Sequence, residues 1–247
     1  MKLISINIEK SKHLDKLQVF LQHEQPDVIC LQELDEHDIP FFTAVTGLLC
    51  VFTPMCTFED DGSVQGIGIF AKEIPERESH NIGGFVGDAV PAYVAKSVLQ
   101  RYNSTTFQLL VARIKVDSLE YTIGTTHFPV TTQGQWAEFQ QETLVGLQHA
   151  AAQYDELIVC GDFNAPRGGE IFSQLSEMYT DNIPKKYVTS IDQNIHRAGY
   201  LPLMVDGLFS THHYQVDNVE LKGGISDHLA IVSRVKKSRI FTVSMLI

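Results

Sequence analysis

The chain has 247 residues, of which 44% are hydrophobic, and a formal net charge of −11. That length and composition are ordinary for a globular protein and large enough to bury a core without staples. The acidic balance counts against a general coat for long nucleic acid, which takes a basic footprint. A nuclease stays open, because metal ions and a few local cations can offset a site.

Residues 2–9 alternate apolar and polar as a strand. They do not read as a signal peptide: the apolar run is short and no small-residue cleavage site follows. Leu14, Leu17, Phe20 and Leu21 then fall at helical spacing over 12–24, and Pro26 stops that helix. Residues 27–33 form an apolar strand ending in the carboxylate of Glu33, and a short helix is expected over 37–46. From 49 to 126 the chain is rich in β-type runs: Gly66–Lys72, Ala92–Gln100, Phe107–Val116 and Tyr121–Thr126. The clearest helix is expected over 132–153. Trp136, Phe139, Leu144, Leu147, Ala151 and Tyr154 lie on one side of it, with Thr131 or Thr132 as its cap. Residues 156–161 repeat the apolar-strand pattern of 27–33. A helix is expected to begin near Gly169, followed by strands near 204–210, 213–221 and 228–235.

Strand–helix–strand units open both halves, and antiparallel-looking runs follow each. This order predicts an α/β protein with two mixed β-sheets packed face to face and helices outside. No Pro/Gly/Ser-rich linker divides the chain, so residues 1–235 are read as one domain and 236–247 as a basic, then apolar, C-terminal tail. No long uncharged apolar stretch reads as a transmembrane helix. Cys30, Cys50, Cys56 and Cys160 form no CxxC pair and lack zinc spacing; they read as small buried hydrophobes in a reducing cytoplasm. The sequon at Asn103 is taken as chance.

Asn7, Glu33, Asp162, Asn164, Asp206, Asp227 and His228 all lie at or just beyond apolar strands, where layered α/β proteins build sites. Singly, each has a plain reading as a turn residue or a solvated strand end. Together they supply what phosphoryl chemistry needs. Carboxylates hold a hard divalent cation, another carboxylate can deprotonate water, and a histidine and an amide can stabilise phosphate oxygens.

Leu31-Gln32-Glu33, Gly161-Asp162-Phe163-Asn164 and Ser226-Asp227-His228, in this order and wide spacing, resemble the endonuclease/exonuclease/phosphatase family. The resemblance spans about residues 1 to 235. Asn7 and the Val205-Asp206-Gly207-Leu208-Phe209 strand add to it. It implies a four-layered α/β/β/α sandwich with the site at one end of the two sheets. It implies Glu33 as the principal metal ligand, Asn7 beside the metal or phosphate, and Asp227 assisting the metal. Asp162 would orient or deprotonate the attacking water, helped by Asn164. His228, backed by Asp206, would bind a phosphate oxygen, and His127 would contact it as well. The implied cofactor is Mg²⁺ (or Mn²⁺). The implied partner is a phosphoester substrate, DNA or a small phosphodiester.

The chain departs from the family at Glu9, a longer carboxylate than usual, which either joins the metal site or points elsewhere. It departs again at Gly207, where a small residue is expected to open the pocket. Arg167 is a candidate to touch substrate phosphate, and the 196–200 loop to select substrate. Gly66-Ile67-Gly68 reads as a close-packed strand rather than a nucleotide loop. His212 and His213 are too awkwardly placed to share a metal. The leading reading is a Mg²⁺-dependent phosphodiesterase or nuclease acting by direct water attack. The alternatives are a non-catalytic binding module on the same fold, or a phosphomonoesterase or sphingomyelinase-type enzyme.

Overall fold

A computed structural model describes residues 1–238. The amino-terminal half runs β1 (Lys2–Asn7), α1 (Leu14–Glu24), β2 (Val28–Asp35), α2 (Ile39–Thr46), β3 (Leu49–Thr57), β4 (Val64–Ala71) and β5 (Glu76–Gly84). It continues through α3 (Val98–Asn103), β6 (Thr106–Val116), β7 (Leu119–His127), α4 (Glu138–Ala151) and β8 (Ile158–Asp162). The chain closes with α5 (Glu170–Met178), β9 (Thr180–Asp181), β10 (Asp206–Ser210), β11 (Tyr214–Lys222) and β12 (Ala230–Lys237). The last strand thus runs two residues past the boundary expected at 235. The apolar end of the expected tail lies outside the described residues.

Two six-stranded sheets result, ordered β11-β12-β1-β2-β4-β3 and β5-β6-β7-β8-β10-β9. Strands β1 to β4 of the first face β6, β7 and β8 of the second. Leu3, Cys30, Ile69, Leu109, Ile123 and Cys160 are among the side chains filling the layer between them. Outside the first sheet, α1 and α2 cover Ile4, Ile6, Ile29 and Leu31 through Leu17, Leu21 and Phe42. On the second sheet, α4 lies over β5 and packs against α5. The expected α/β/β/α sandwich is the fold. Strands β1 and β2 are apolar on both sides because both of their faces are covered. Among the described residues, no helix is long and apolar enough to cross a membrane.

Two expected elements differ. The run 92–100 is not a strand. Pro91 precedes it, Ala92 makes only a single bridge to Thr57, and Ser97 Oγ accepts from Gln100 N–H at 3.2 Å to cap α3 instead. The helix expected from 132 begins at Glu138. Gln133 (φ 54°) and Gly134 (φ 69°) turn the chain the wrong way for an α-helix, neither threonine caps it, and Trp136 is left exposed. The strand expected over 156–161 forms as Ile158–Asp162, so Asp162 is its last residue.

The parallel pairs β1/β2 and β7/β8 set where the site can be. Each pair ends at the same edge of the sandwich, with Asn7 opposite Gln32 in one sheet and His127 opposite Asp162 in the other. The antiparallel strand β10 enters at that edge, placing Asp206 opposite Asp162. Directly below, buried Gln32 donates from Nε2 to Thr125 Oγ1 at 2.9 Å and to Ser5 Oγ at 3.3 Å, tying the sheets together.

At the far end of α1, Glu24 anchors the helix to the first sheet by pairing with Lys2 of β1 and with Lys222 of β11 at 2.7 Å. Burial alone would push its carboxyl up, but the two lysines outweigh burial and bring it from 4.5 down to about 2. A depressed carboxyl contributes stability above its unfolded value and loses it as pH falls through its folded one. Glu24→Gln should therefore cost about 1–3 kcal/mol at pH 7 in urea denaturation. That gap should close as pH falls from 5 toward 2; a gap constant over this window would contradict the pairing.

Candidate active site

Asp162 lies at the centre of the edge, at the end of β8 and 2% exposed. Register puts His127 and Asp206 on either side of it in neighbouring strands, and directly opposed residues share one face of a sheet. His127 Nε2 lies 3.6 Å from Asp162 Oδ2. The first sheet reaches across with Asn7, whose Nδ2 donates to Asp162 Oδ2 and to Glu33 Oε1, both at 3.2 Å. Asp162 Oδ1 accepts the backbone N–H of Asn164 at 2.8 Å, closing an Asx turn. Asn164 itself donates from Nδ2 to Phe128 O at 2.9 Å.

His228 arrives from the loop before β12. Its Nδ1 is 2.8 Å from Asp206 Oδ2 and its Nε2 is 3.9 Å from Asp162 Oδ2. The loop around 190 holds this pair in place. Ser190 Oγ accepts from the N–H groups of Val205 (3.0 Å) and Asp206 (3.1 Å), and Leu229 N–H donates to Ser190 O at 2.7 Å. Beside His228, Asp227 receives Ser226 Oγ–H at 3.2 Å.

Burial would lower the His228 imidazole, but Asp206 first and Asp162 next outweigh it and raise it well above its ordinary value. Burial raises the Asp162 carboxyl; the nearby His228 and His127 pull it back, and Asp206 pushes it further up. Burial also raises Asp227, and the negative charges of Glu9 and Glu33 add to the rise.

One cavity of about 530 Å³ collects Glu9, Glu33, His127, Asp162, Asn164, Asp227 and His228. Glu9, Glu33 and Asp227 bring oxygen donors of like charge into one space, which is what a hard divalent cation relieves. They fit such an ion. Asp162, Asp206 and His228 also offer ligand atoms within 4.8 Å of one another. Within this trio Asp206 already holds His228 Nδ1 at 2.8 Å, while Nε2, 3.9 Å from Asp162 Oδ2, is beyond hydrogen-bond reach and stays open to a ligand, so the trio reads as a means of positioning the imidazole.

Glu33 reaches the cavity through a bulge. Pairing of β2 with β4 slips between Leu31 and Leu34, and Glu33 takes φ 54°. Glu9 (φ 51°), Lys10 (φ 60°) and Asn164 (φ 48°) also hold left-handed backbone, and all line the cavity. Left-handed non-glycine residues cost energy and gather where a side chain must be aimed.

Several expectations are corrected here. Asn7 faces Glu33 with donors, and its Oδ1 accepts Glu9 N–H at 3.1 Å, so the amide bridges carboxylates rather than offering its oxygen to a metal. Gly207 does not open the pocket; a Cβ there would sit 2.5 Å from Phe209 and 2.6 Å from Phe163, inside an aromatic stack. Arg167 turns away from the cavity to pair with Asp181 at 2.8 Å and donate to Ile183 O and Tyr187 O. Glu9 does line the cavity, while paired with Lys12 and with His13 at 3.0 Å. Sequence reasoning missed Ser190, and Gln65, which donates to Glu33 Oε2 at 3.5 Å. Neither lies in a motif.

Asp206→Asn should lower the pH at which the His228 imidazole resonance titrates; a midpoint the same as in the wild type would contradict the pairing. Glu33→Gln should raise the metal-free Tm by relieving repulsion with Asp227 and Glu9, and should remove most of the Tm gain on adding Mg²⁺. An unchanged Mg²⁺ response would refute Glu33 as a ligand.

Comparison with known proteins adds a family and a set of folds. A model of the endonuclease/exonuclease/phosphatase family matches residues 4–228. The sequence has no match among curated proteins. A conserved protein of unknown function from Enterococcus faecalis superposes with a TM-score of 0.71 at 15% identity, over 96% of this chain and 100% of that one. The human nocturnin catalytic domain, solved with bound sulfate, gives 0.65 at 17% identity over 96% and 93%. D. rerio TDP2, humanised by 14 mutations, gives 0.67 at 18% identity over 96% and 99%.

Proposed function

Since the chain belongs to the endonuclease/exonuclease/phosphatase family of phosphoesterases, we propose that it is a Mg²⁺-dependent phosphodiesterase that works by direct attack of water. The observation that carries this reading is the placing of Asp162, held by Asn7, in one cavity with His228, itself held by Asp206, and with the carboxylates of Glu33 and Asp227. That combination puts a base, a hydrogen-bond donor and a cation-holding set around one reacting phosphorus.

Glu33 and Asp227 would hold the ion, with Glu9 close by. Their all-oxygen chemistry suits Mg²⁺ or Mn²⁺ rather than a softer metal. When bound, such an ion supplies charge neutralisation at a phosphoryl or leaving oxygen. The protein's own residues do the rest. Asp162, fixed by Asn7 and the Asn164 N–H, orients a water and takes its proton as the new P–O bond forms and the bond to the leaving alcohol breaks. His228 Nε2 and His127 face the phosphate oxygens as donors. Asp206 is a positioning residue, holding the His228 ring in its orientation. Asn164 presents its remaining N–H and carbonyl to the water or the phosphate. We assign direct hydrolysis because, among the described residues, no hydroxyl or thiol is hydrogen-bonded to Asp162 as an alternative nucleophile.

Hydrolysis of bis(p-nitrophenyl) phosphate, with and without Mg²⁺ or Mn²⁺, tests this reading. We expect metal-dependent turnover that a chelator stops. Asp162→Ala should lower kcat by about 10²–10⁴-fold, the usual worth of a general base, while the far-ultraviolet circular dichroism stays that of the wild type. No hydrolysis of any plain phosphoester, together with no metal binding, would reject the enzyme reading.

A further inference from the structure

Hydrolysis uses the carboxylates and histidines of the cavity and leaves several of its other lining residues unexplained. Among these, Phe58 and Tyr93 lie with ring centroids 5.0 Å apart, both on the cavity wall. Lys10 Nζ is held 3.1 Å over the Phe58 ring. Arg101 is fixed by donating from Nε and Nη2 to Ala95 O, both at 3.3 Å, which leaves its other N–H groups free. Lys10, Arg101 and Arg197 all line this cavity, and none has an ion-pair partner among the described residues. In a chain with 30 acidic and 19 basic residues, a wall of unpaired cations is a place for negative charge.

The segment that carries Tyr93 and Arg101 is a strap over 85–105. Phe85 N–H closes its base on Thr105 O at 2.9 Å. Gly84 (φ 79°) makes the turn into it, where a Cβ would sit 2.0 Å from Thr105 O. Midway, Thr57 N–H donates to Pro91 O and Tyr93 N–H to Thr57 O, both at 2.8 Å. The strap leaves the second sheet and is tied to β3 of the first, so it bridges the sandwich beside the site. A cavity of about 530 Å³ bounded in this way is of small-molecule size.

We propose that Phe58, Tyr93, Lys10 and Arg101 form a subsite for a small phosphodiester that carries a planar aromatic group and a second anionic group, and that the strap excludes duplex nucleic acid. The inference rests on the phosphodiesterase reading. The ring packs on Phe58 and Tyr93, and the second anion meets Lys10 and Arg101.

Three esters with a common p-nitrophenolate leaving group test this: methyl p-nitrophenyl phosphate, thymidine 5′-(p-nitrophenyl phosphate) and its 3′-phosphorylated form. We expect kcat/KM to rise about tenfold with the thymine and about tenfold again with the 3′-phosphate, roughly 1.4 kcal/mol each. Phe58→Ala should collapse the first ratio, and Lys10→Met with Arg101→Met the second. Supercoiled plasmid should not be nicked. Equal kcat/KM for all three esters, or plasmid nicking at a comparable rate, would overturn the subsite while leaving the hydrolase reading intact. Calorimetric titration of thymidine 3′,5′-bisphosphate gives a readout free of turnover. Binding that weakens in Lys10→Met is expected, and no binding to the wild type would overturn the subsite whatever the enzyme hydrolyses.

Discussion

A carboxylate 2% exposed at the junction of two sheets needs partners from both. Asp162 has them: Asn7 from the first sheet, and Asn164 N–H, His127 and His228 around its own. Removing the partners of a buried charge costs about 3–5 kcal/mol, which is a large share of a domain's stability. The hydrogen bond from Asn7 therefore does more than orient a side chain. It fixes how the strand ends of the two sheets align, with Gln32 and Thr125 repeating the link one layer below. The sandwich has to close in the arrangement that assembles the site.

The same edge concentrates backbone strain. Glu9, Lys10, Glu33 and Asn164 all hold left-handed conformations that a regular strand or helix would not ask of them. Glu33 is the clearest case. Without its bulge in β2, strand alternation would place the side chain by the pleat alone; with it, the carboxylate reaches the cavity beside Asn7. Like charge adds to that strain, since Glu9 and Glu33 push the Asp227 carboxyl up against the pull of His228. The folded protein is thus least comfortable where it is most chemically capable, as is common at functional sites.

Much of this could be read in the sequence, for identifiable reasons. Apolar runs ending in Asn7, Glu33 and Asp162 mark buried strands, because a strand covered on both faces has to be apolar throughout. Two sheets packed face to face follow from those runs; the order of strands within each sheet does not. What could not be read depended on tertiary contacts. Val94 and Tyr93 are good strand formers, yet Pro91 and the Ser97 cap turn their segment into a strap and a helix. Gln133 and Gly134 look compatible with a helix that their dihedrals exclude. Gly207 looked like an opening because its smallness was visible and the Phe163 and Phe209 rings it accommodates were not. Ser190 has no motif at all; its hydroxyl matters only because the fold brings the Val205 and Asp206 amides to it.

The strap also separates two duties of the molecule. None of Asn7, Glu33, Asp162, Asp206 or His228 lies on it, and its ends meet where Phe85 N–H donates to Thr105 O, just past the Gly84–Thr106 pair of the adjoining strands. A segment with that anchoring can change length or content while the reacting groups keep their frame. Descendants of such a chain could trade one ester for another by rewriting a single connection of about twenty residues, the kind of loop turnover that scaffolded sites allow. Chemistry would be inherited with the sheets, and preference acquired with the loop.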